Sequence, residues 1–320
     1  NVADAAGGGL AALHTGSRIV LRGVGLMRNI CNGPISLLGG GALWAGPQST
    51  VDASDCLFYE NVSSNLGGAI LVYGGAQRIT LRSSFNTPPG LLPATQFSGN
   101  SARTHGGALC VAGCDALDIA GTLMLSNSAA LSGGAILFAE SYTGRIVNTI
   151  FTRNRGGGLG DAIGAGAYAL LELQQCTIAD NHSNGVTHLG GVGVPLIENC
   201  IVWGHVTSQI WGTAVVRFSN VQGGYPGPFN LNTNPVFFAP GALRYDLAES
   251  SPCIDKGATL FSITNDCIGT VRPYGAGWDM GAYEFVPEPG VAGLLLAALA
   301  LKITRNRADR SDQPHHGSTP

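Results

Sequence analysis

A parallel β-helix is the fold that this 320-residue chain predicts, and three columns of recurring residues predict it. The first is a Gly-Gly-Ala step at Gly40-Gly41-Ala42, Gly67-Gly68-Ala69, Gly106-Gly107-Ala108 and Gly133-Gly134-Ala135. Apolar residues such as Ile70-Leu71-Val72 follow it, a weaker copy stands at Gly160-Asp161-Ala162, and degenerate ones stand at Gly8-Gly9 and Gly190-Gly191. The second is a bulky apolar residue three before an asparagine: Phe58…Asn61, Phe97…Asn100, Met124…Asn127, Phe151…Asn154 and Ile178…Asn181. From that asparagine to the next glycine step is six residues in four successive copies. The third column, two residues before the bulky one, reads Cys56, Thr95, Thr122, Thr149, Cys176 and Cys200, with steps of 39, 27, 27, 27 and 24. The long step carries the turn-rich Asn86-Thr87-Pro88-Pro89-Gly90. About seven units are visible, over residues 1–222.

Each unit reads as about three short strands. Segments such as Arg18–Arg22, Gln77–Arg82 and Gly144–Phe151 are β-branched or aromatic and bounded by Gly, Asn and Ser, which is strand-and-turn chemistry. No stretch holds a 3.6-residue apolar period long enough for a helix. Coils stacked about 4.8 Å apart place equivalent residues above one another. The bulky column then fills the core, the glycines supply positive φ at a corner, and the asparagines tolerate the left-handed region and bond from coil to coil as in amide ladders.

Composition removes other classes. Disorder needs low hydrophobicity and high net charge, whereas 45% of this chain is hydrophobic and its formal charge is −3. Glycine, at 48 residues, is about twice its usual share without the strict triplet period of collagen. A net-acidic chain whose lysines are Lys256 and Lys302 lacks the basic stripe that nucleic acid requires.

Gly-Gly-Ala-Ile/Leu alternating with Phe-x-x-Asn, as in Phe58-Tyr59-Glu60-Asn61 and Gly67-Gly68-Ala69-Ile70, resembles the repeat of the polymorphic outer-membrane proteins. The wider resemblance is to right-handed β-helix proteins of the pectin-lyase-like class, and it implies a fold more than an activity. Ser251-Pro252-Cys253-Ile254-Asp255, Arg272-Pro273 and Asp279-Met280-Gly281-Ala282-Tyr283 resemble the choice-of-anchor Q module. That similarity implies an irregular capping module over residues 223–285, which blocks the open end of the stack. Ile268 stands where that family tends to carry a second carboxylate, so a cation site there is not expected.

Residues 286–310 resemble a PEP-CTERM sorting signal: Pro287, Glu288 and Pro289, a twelve-residue apolar stretch expected as a short helix, then Lys302, Arg305 and Arg307. Twelve helical residues span about 18 Å, short of the roughly 30 Å hydrocarbon core. The resemblance implies cleavage by an exosortase-like enzyme and transient membrane contact, with residues 311–320 a disordered tail. The chain starts at Asn1, in mid-repeat and without a secretion signal, so upstream coils are expected.

The chemistry legible in the sequence is sparse. Asp161, Asp180 and His182 form the nearest constellation to a hydrolase or lyase site, although aspartates in turns are favoured by side-chain-to-backbone bonding alone. Eight cysteines read as core thiols, with Cys110–Cys114 and Cys253–Cys267 the pairs best placed for disulfides. No motif calls for a cofactor or a metal. The expectation is therefore a secreted or cell-surface protein of a Gram-negative bacterium, adhesive or structural rather than enzymatic, with extracellular polysaccharide as its contact. The alternative is a polysaccharide lyase, hydrolase or epimerase.

Overall fold

Three sheets of eight parallel strands and one of six form the body of the protein, in a computed structural model describing residues 1–33, 39–76, 78–84, 92–140, 143–158 and 160–287. The first face runs from Leu10–Ala12 to Ser208–Trp211, the second from Arg18–Arg22 to Val215–Arg217, and the third from Gly25–Met27 to Asn220–Val221. Successive rungs pair with the next in register, giving a right-handed parallel β-helix, the hand that parallel crossovers take. Residues Asn1–Phe285 make one compact unit. The apolar stretch and basic cluster of the expected sorting signal, with Glu288 and Pro289, lie outside the described residues, as does the 311–320 tail.

The rungs number eight, against about seven expected. The last rung, Ser208–Trp211, Val215–Arg217 and Asn220–Val221, carries no glycine step and no ladder asparagine, and in the first rung Leu26 and Asn29 occupy the bulky and asparagine columns at a different spacing, eleven residues before Gly40. A fourth strand of two residues also follows most asparagines, as at Val62–Ser63 and Ser101–Ala102, so a rung has four sides where three were expected.

The core is built from columns. Leu26, Phe58, Phe97, Met124, Phe151, Ile178, Val202 and Val221 lie over one another through the third sheet. Phe58 and Phe97 stack with ring centroids 4.4 Å apart and planes within 3°. Register forces this face-to-face pile, because equivalent side chains lie one strand spacing apart.

Beside it runs the asparagine ladder. The Asn61 side chain donates to Asn100 Oδ1 (3.0 Å), Asn100 to Asn127 (2.9 Å), Asn127 to Asn154 (3.0 Å) and Asn154 to Asn181 (2.9 Å). Each Oδ1 also accepts the backbone N–H of the asparagine before it, and each second amide hydrogen goes to a carbonyl, as Asn127 Nδ2 does to Phe97 O. Every donor and acceptor of these buried amides is thereby used, which burial demands. The ladder asparagines are not themselves left-handed, contrary to expectation. The residue before each takes positive φ instead: Glu60, Gly99, Ser126, Arg153 and Asp180. A side chain that must reach the next rung needs a fixed extended backbone, so the corner is turned one residue earlier.

The glycine steps before the central first-face strands behave as predicted, whereas Gly190-Gly191 follows the strand Asn184–His188 instead of preceding one. Gly67, Gly106 and Gly133 have φ between 61° and 66°. A Cβ on Gly68 or Gly107 would lie 2.0 Å from the carbonyl oxygen of the next rung.

The small column has a chemical reason that the sequence did not disclose. Cys56 N–H donates to Thr95 Oγ1, Cys176 N–H to Cys200 Sγ and Cys200 N–H to Ser219 Oγ. Cysteine there substitutes for a hydroxyl. All eight cysteines are buried thiols without a disulfide. The Cys110–Cys114 pair is excluded by a register shift between Val111 and Ala112, which breaks the strand's alternation: Cys114 joins the central core, while Cys110 joins an outward cluster with Trp44, Leu71 and Leu137. Cys253 and Cys267 likewise sit in separate clusters.

The chain after residue 222 does two things. Residues 225–231 lie along the last rung, with Leu231 bridging Asn220 and the Tyr225 hydroxyl accepting from Ala214 N–H. The longer remainder packs on the flank of the helix, where an end cap was expected. Tyr245, Ile268, Ala282 and Tyr283 cover Leu123, Ile150 and Ala179, outward residues of the third face. Tyr245 OH donates to Asp180 Oδ2 (2.8 Å) and pairs with Thr152 Oγ1 (2.6 Å), while Ala282 N–H donates to Thr177 Oγ1 (2.9 Å).

Candidate functional site

The outward faces of a β-helix are where its function resides, and here they differ. Outward positions of the first face, Trp44, Leu71, Cys110 and Leu137, are apolar and at most 8% exposed. Those of the third face are covered from Leu123 onward by the C-terminal segment. The second face carries alternating side chains whose inward set (Val51, Leu81, Ile119, Leu173) fills the core and whose outward set is polar.

Three outward columns follow from the register. One stacks Arg18, Thr50 and Arg78; the next stacks Val20, Asp52, Thr80, Asp118, Arg145 and Glu172; the third stacks Arg22, Ser54 and Arg82. Over the first three rungs this gives four arginines and one aspartate, a local charge of +3 in a chain whose formal net charge is −3. Asp52 is the hub: Arg22 Nη2 bonds its Oδ2, and Arg82 Nη2 lies 3.7 Å from Oδ1. The hydrogen bond from Arg22 holds the Asp52 carboxyl below the usual carboxylate range, against a partial desolvation that opposes it. Farther along, Arg217 pairs with Glu198 at 2.6 Å.

Two open grooves run along this face. The first, about 460 Å³, is lined by Arg18, Thr50, Asp52, Arg78, Thr80 and Arg82. The second, about 480 Å³, is lined by Arg78, Asp118, Arg145, Glu172 and apolar neighbours. Arg78 borders both, so the two grooves adjoin across it.

The structure places the residues singled out from sequence elsewhere and in separate roles. Asp161 is buried at a corner, its Oδ1 accepting from Gly156 N–H and its Oδ2 from Ser183 N–H and, at 2.9 Å, Asn184 N–H. Asp180 is a left-handed corner residue whose carboxylate receives the Tyr245 hydroxyl. His182 is exposed, and its Nδ1 lies 3.0 Å from Ser183 Oγ. None of the three lines either groove. Pro287 closes the described segment, beyond the compact unit. Among the described residues no group of three or more His, Cys, Asp or Glu side chains is placed to hold a metal, and no helix is long and apolar enough to cross a membrane.

The arginine face escaped sequence reading, yet a signal existed. Arg18-Ile-Val-Leu-Arg22 and Arg78-Ile-Thr-Leu-Arg82 share one pattern, and two arginines four apart on a strand project to the same side.

Comparison with known proteins agrees with the architecture. Residues 55–73 and 94–112 each match the Chlamydia polymorphic membrane protein (Chlamydia_PMP) repeat. Both segments run from a bulky-residue strand through the ladder asparagine and glycine step into the first face. Two windings therefore carry the repeat of a bacterial membrane-protein family. A stretch of 214 residues, 66% of the chain, is 24% identical to the Metabotropic glutamate receptor-like protein R of Dictyostelium discoideum, and the match covers 12% of that protein's length. No solved structure matches the chain.

Proposed function

We propose that this is an exported bacterial surface or matrix protein, non-enzymatic, whose β-helix is a rigid adhesive or structural element contacting extracellular polysaccharide. One observation carries the reading: among the described residues the outward side of the second face is charged and grooved along successive rungs. The polymorphic membrane protein repeats support a surface address. On the same reading the segment from Pro287 through Lys302, Arg305 and Arg307 is a sorting signal, cut by an exosortase-like enzyme after transient membrane contact. Protease shaving of intact cells, with mass spectrometry of the mature C-terminus, tests both parts. Release of solenoid peptides and a terminus near Pro287–Pro289 are expected; a protected protein with an intact tail overturns the reading.

A second reading, a polysaccharide lyase or hydrolase, rests on Asp118 and Glu172 flanking Arg145 in the larger groove, since such enzymes need paired acids or a basic proton acceptor. An assay for unsaturated and reducing ends on uronate and neutral glycans, with and without Ca²⁺, decides between them. Turnover lost in Asp118→Asn or Glu172→Gln would establish the enzyme.

A further inference from the structure

We infer that the arginine cluster at the start of the second face is a binding site for an anionic glycan, a sugar chain bearing carboxylate or sulfate groups. The inference deepens the surface-protein reading and rests on it.

The geometry is set by the fold. Arg18 and Arg78 stand two rungs apart in one column, and Arg22 and Arg82 two rungs apart in another. Two rungs are about 10 Å, and four residues along a strand about 13 Å. Arg18, Arg78 and Arg82 line a shallow groove with Thr50, Asp52 and Thr80, and Arg22 stands beside it, bonded to Asp52. Asp52 is bonded to Arg22 and lies 3.7 Å from Arg82, with Arg18 acting on it only at longer range. Arg18 and Arg78 are exposed and form no ion pair among the described residues, so their bidentate donors are available to oxyanions.

The occupant follows from charge and hydroxyl chemistry. A surplus of three positive charges is small beside the many phosphate contacts that nucleic-acid binding uses. The hydroxyls of Thr50 and Thr80 and the carboxylate of Asp52, interleaved with the arginines, match a polymer carrying hydroxyls between its anionic groups. The second groove adjoins the first across Arg78, farther along the same face, so a linear chain bound in one lies next to the other.

The test titrates the purified full chain with heparin, polygalacturonate, neutral dextran and a duplex oligonucleotide. Binding to heparin or polygalacturonate that weakens with salt is expected, the stronger of the two identifying the anionic group. Arg18→Ala/Arg78→Ala should lose roughly tenfold or more in affinity. Asp52→Asn, which frees Arg22 and Arg82, should bind several-fold tighter. The control Arg103→Ala/Arg155→Ala removes the same charge from the exposed corner of the helix and should stay within about twofold. Equal losses in control and test variants, equal binding of dextran, or tighter binding of the oligonucleotide would overturn the inference. Failure to bind either acidic glycan also overturns it and leaves the surface reading to the shaving experiment, so the two fail separately.

Discussion

The solenoid and the segment packed on its flank solve the same problem, burying polar groups, by opposite means. In the helix the recurring buried polar groups are neutral: asparagines in six successive rungs, each bonded to the next, with Asp161 and Glu198 the buried carboxylates outside that series. In the segment from 250 to 285 they are charged and unique. Arg272 and Glu284, with side chains 0% and 1% exposed, pair at 2.7 Å, and Arg272 also donates to Gly281 O. Asp266 accepts from Ile268, Thr270 and Glu284 N–H, and Asp279 from Asp255 and Phe285 N–H. A repeat can satisfy backbone groups with the strand above. A stretch with almost no ladder pairing must recruit carboxylates to receive its amides. Periodicity thus permits neutrality, and irregularity requires charge.

The largest break in this contrast is a missing ladder amide. Asn127→Ala strands Asn100 N–H, one Nδ2 hydrogen of Asn100 and Phe97 O, and leaves Asn154 Oδ1 with the backbone N–H of residue 127 alone. At about 1 kcal/mol or more for each buried group left unpaired, the expected loss is about 5 kcal/mol. Because each rung supports its neighbours, chemical denaturation should shift for the whole helix. An effect under about 1 kcal/mol would mean that the column packs without needing its bonds.

Next in size is Arg272→Met, which leaves Glu284 buried without its partner, a change worth about 3–5 kcal/mol. Here the damage should be local: hydrogen exchange should rise across residues 253–285 while the ladder stays protected. Tyr245→Phe is milder. It removes the bonds to Asp180 and Thr152 that pin the segment to the flank, for about 1–2 kcal/mol. Exchange that spread evenly through both regions in either variant would show them to be one cooperative unit.

The same contrast explains what was legible in the sequence. The helix announces itself through fixed offsets, since Phe58, Phe97 and Phe151 must recur for the core to continue. Its last rung, Ser208–Trp211 to Asn220–Val221, carries neither ladder asparagine nor glycine step and did not announce itself. The flank was legible in principle: Leu123-Met124-Leu125 and Cys200-Ile201-Val202-Trp203 are apolar at both parities, whereas Gln96-Phe97-Ser98 alternates. A strand buried on both faces reads as a continuous run, so those runs mark where something covers the sheet. Asp180 illustrates the limit. Its type and its neighbour His182 suggest catalysis, but the hydroxyl that occupies it comes from Tyr245, sixty-five residues away and in no repeat. The arginine site depended on register across Arg18, Asp52 and Arg78, which motif spacing within one rung does not contain.

The smallest expected effect opposes the two regions by pH. His205 ends the ladder in place of an asparagine: its Nδ1 accepts Asn181 N–H (3.2 Å), and its Nε2 reaches Ile178 O (3.1 Å), the carbonyl equivalent to those the ladder amides use. That pairing requires the neutral ring protonated at Nε2. Burial pushes its pKa below the ordinary 6.5, with the hydrogen bonds to Asn181 and Ile178 opposing. Below that value the unfolded chain binds a proton that the folded one resists, so this stability is complete above pH 6.5 and falls as pH drops toward the lowered folded value. Burial raises Asp279 and Glu284 instead. Their stability is complete below their ordinary carboxylate values and is lost as pH rises through the raised ones, the reverse slope. Acidification from 7 to 5 should therefore loosen the His205 end of the helix, read as faster exchange at Asn181 N–H, without loosening the 253–285 segment. His205→Asn should abolish the helix's pH dependence, which is at most about 1.4 kcal/mol per pKa unit of depression, and leave the segment's slope untouched. If both regions loosened together on acidification in that variant, the division between a neutral ladder and a charged knot would not govern how this protein responds to pH.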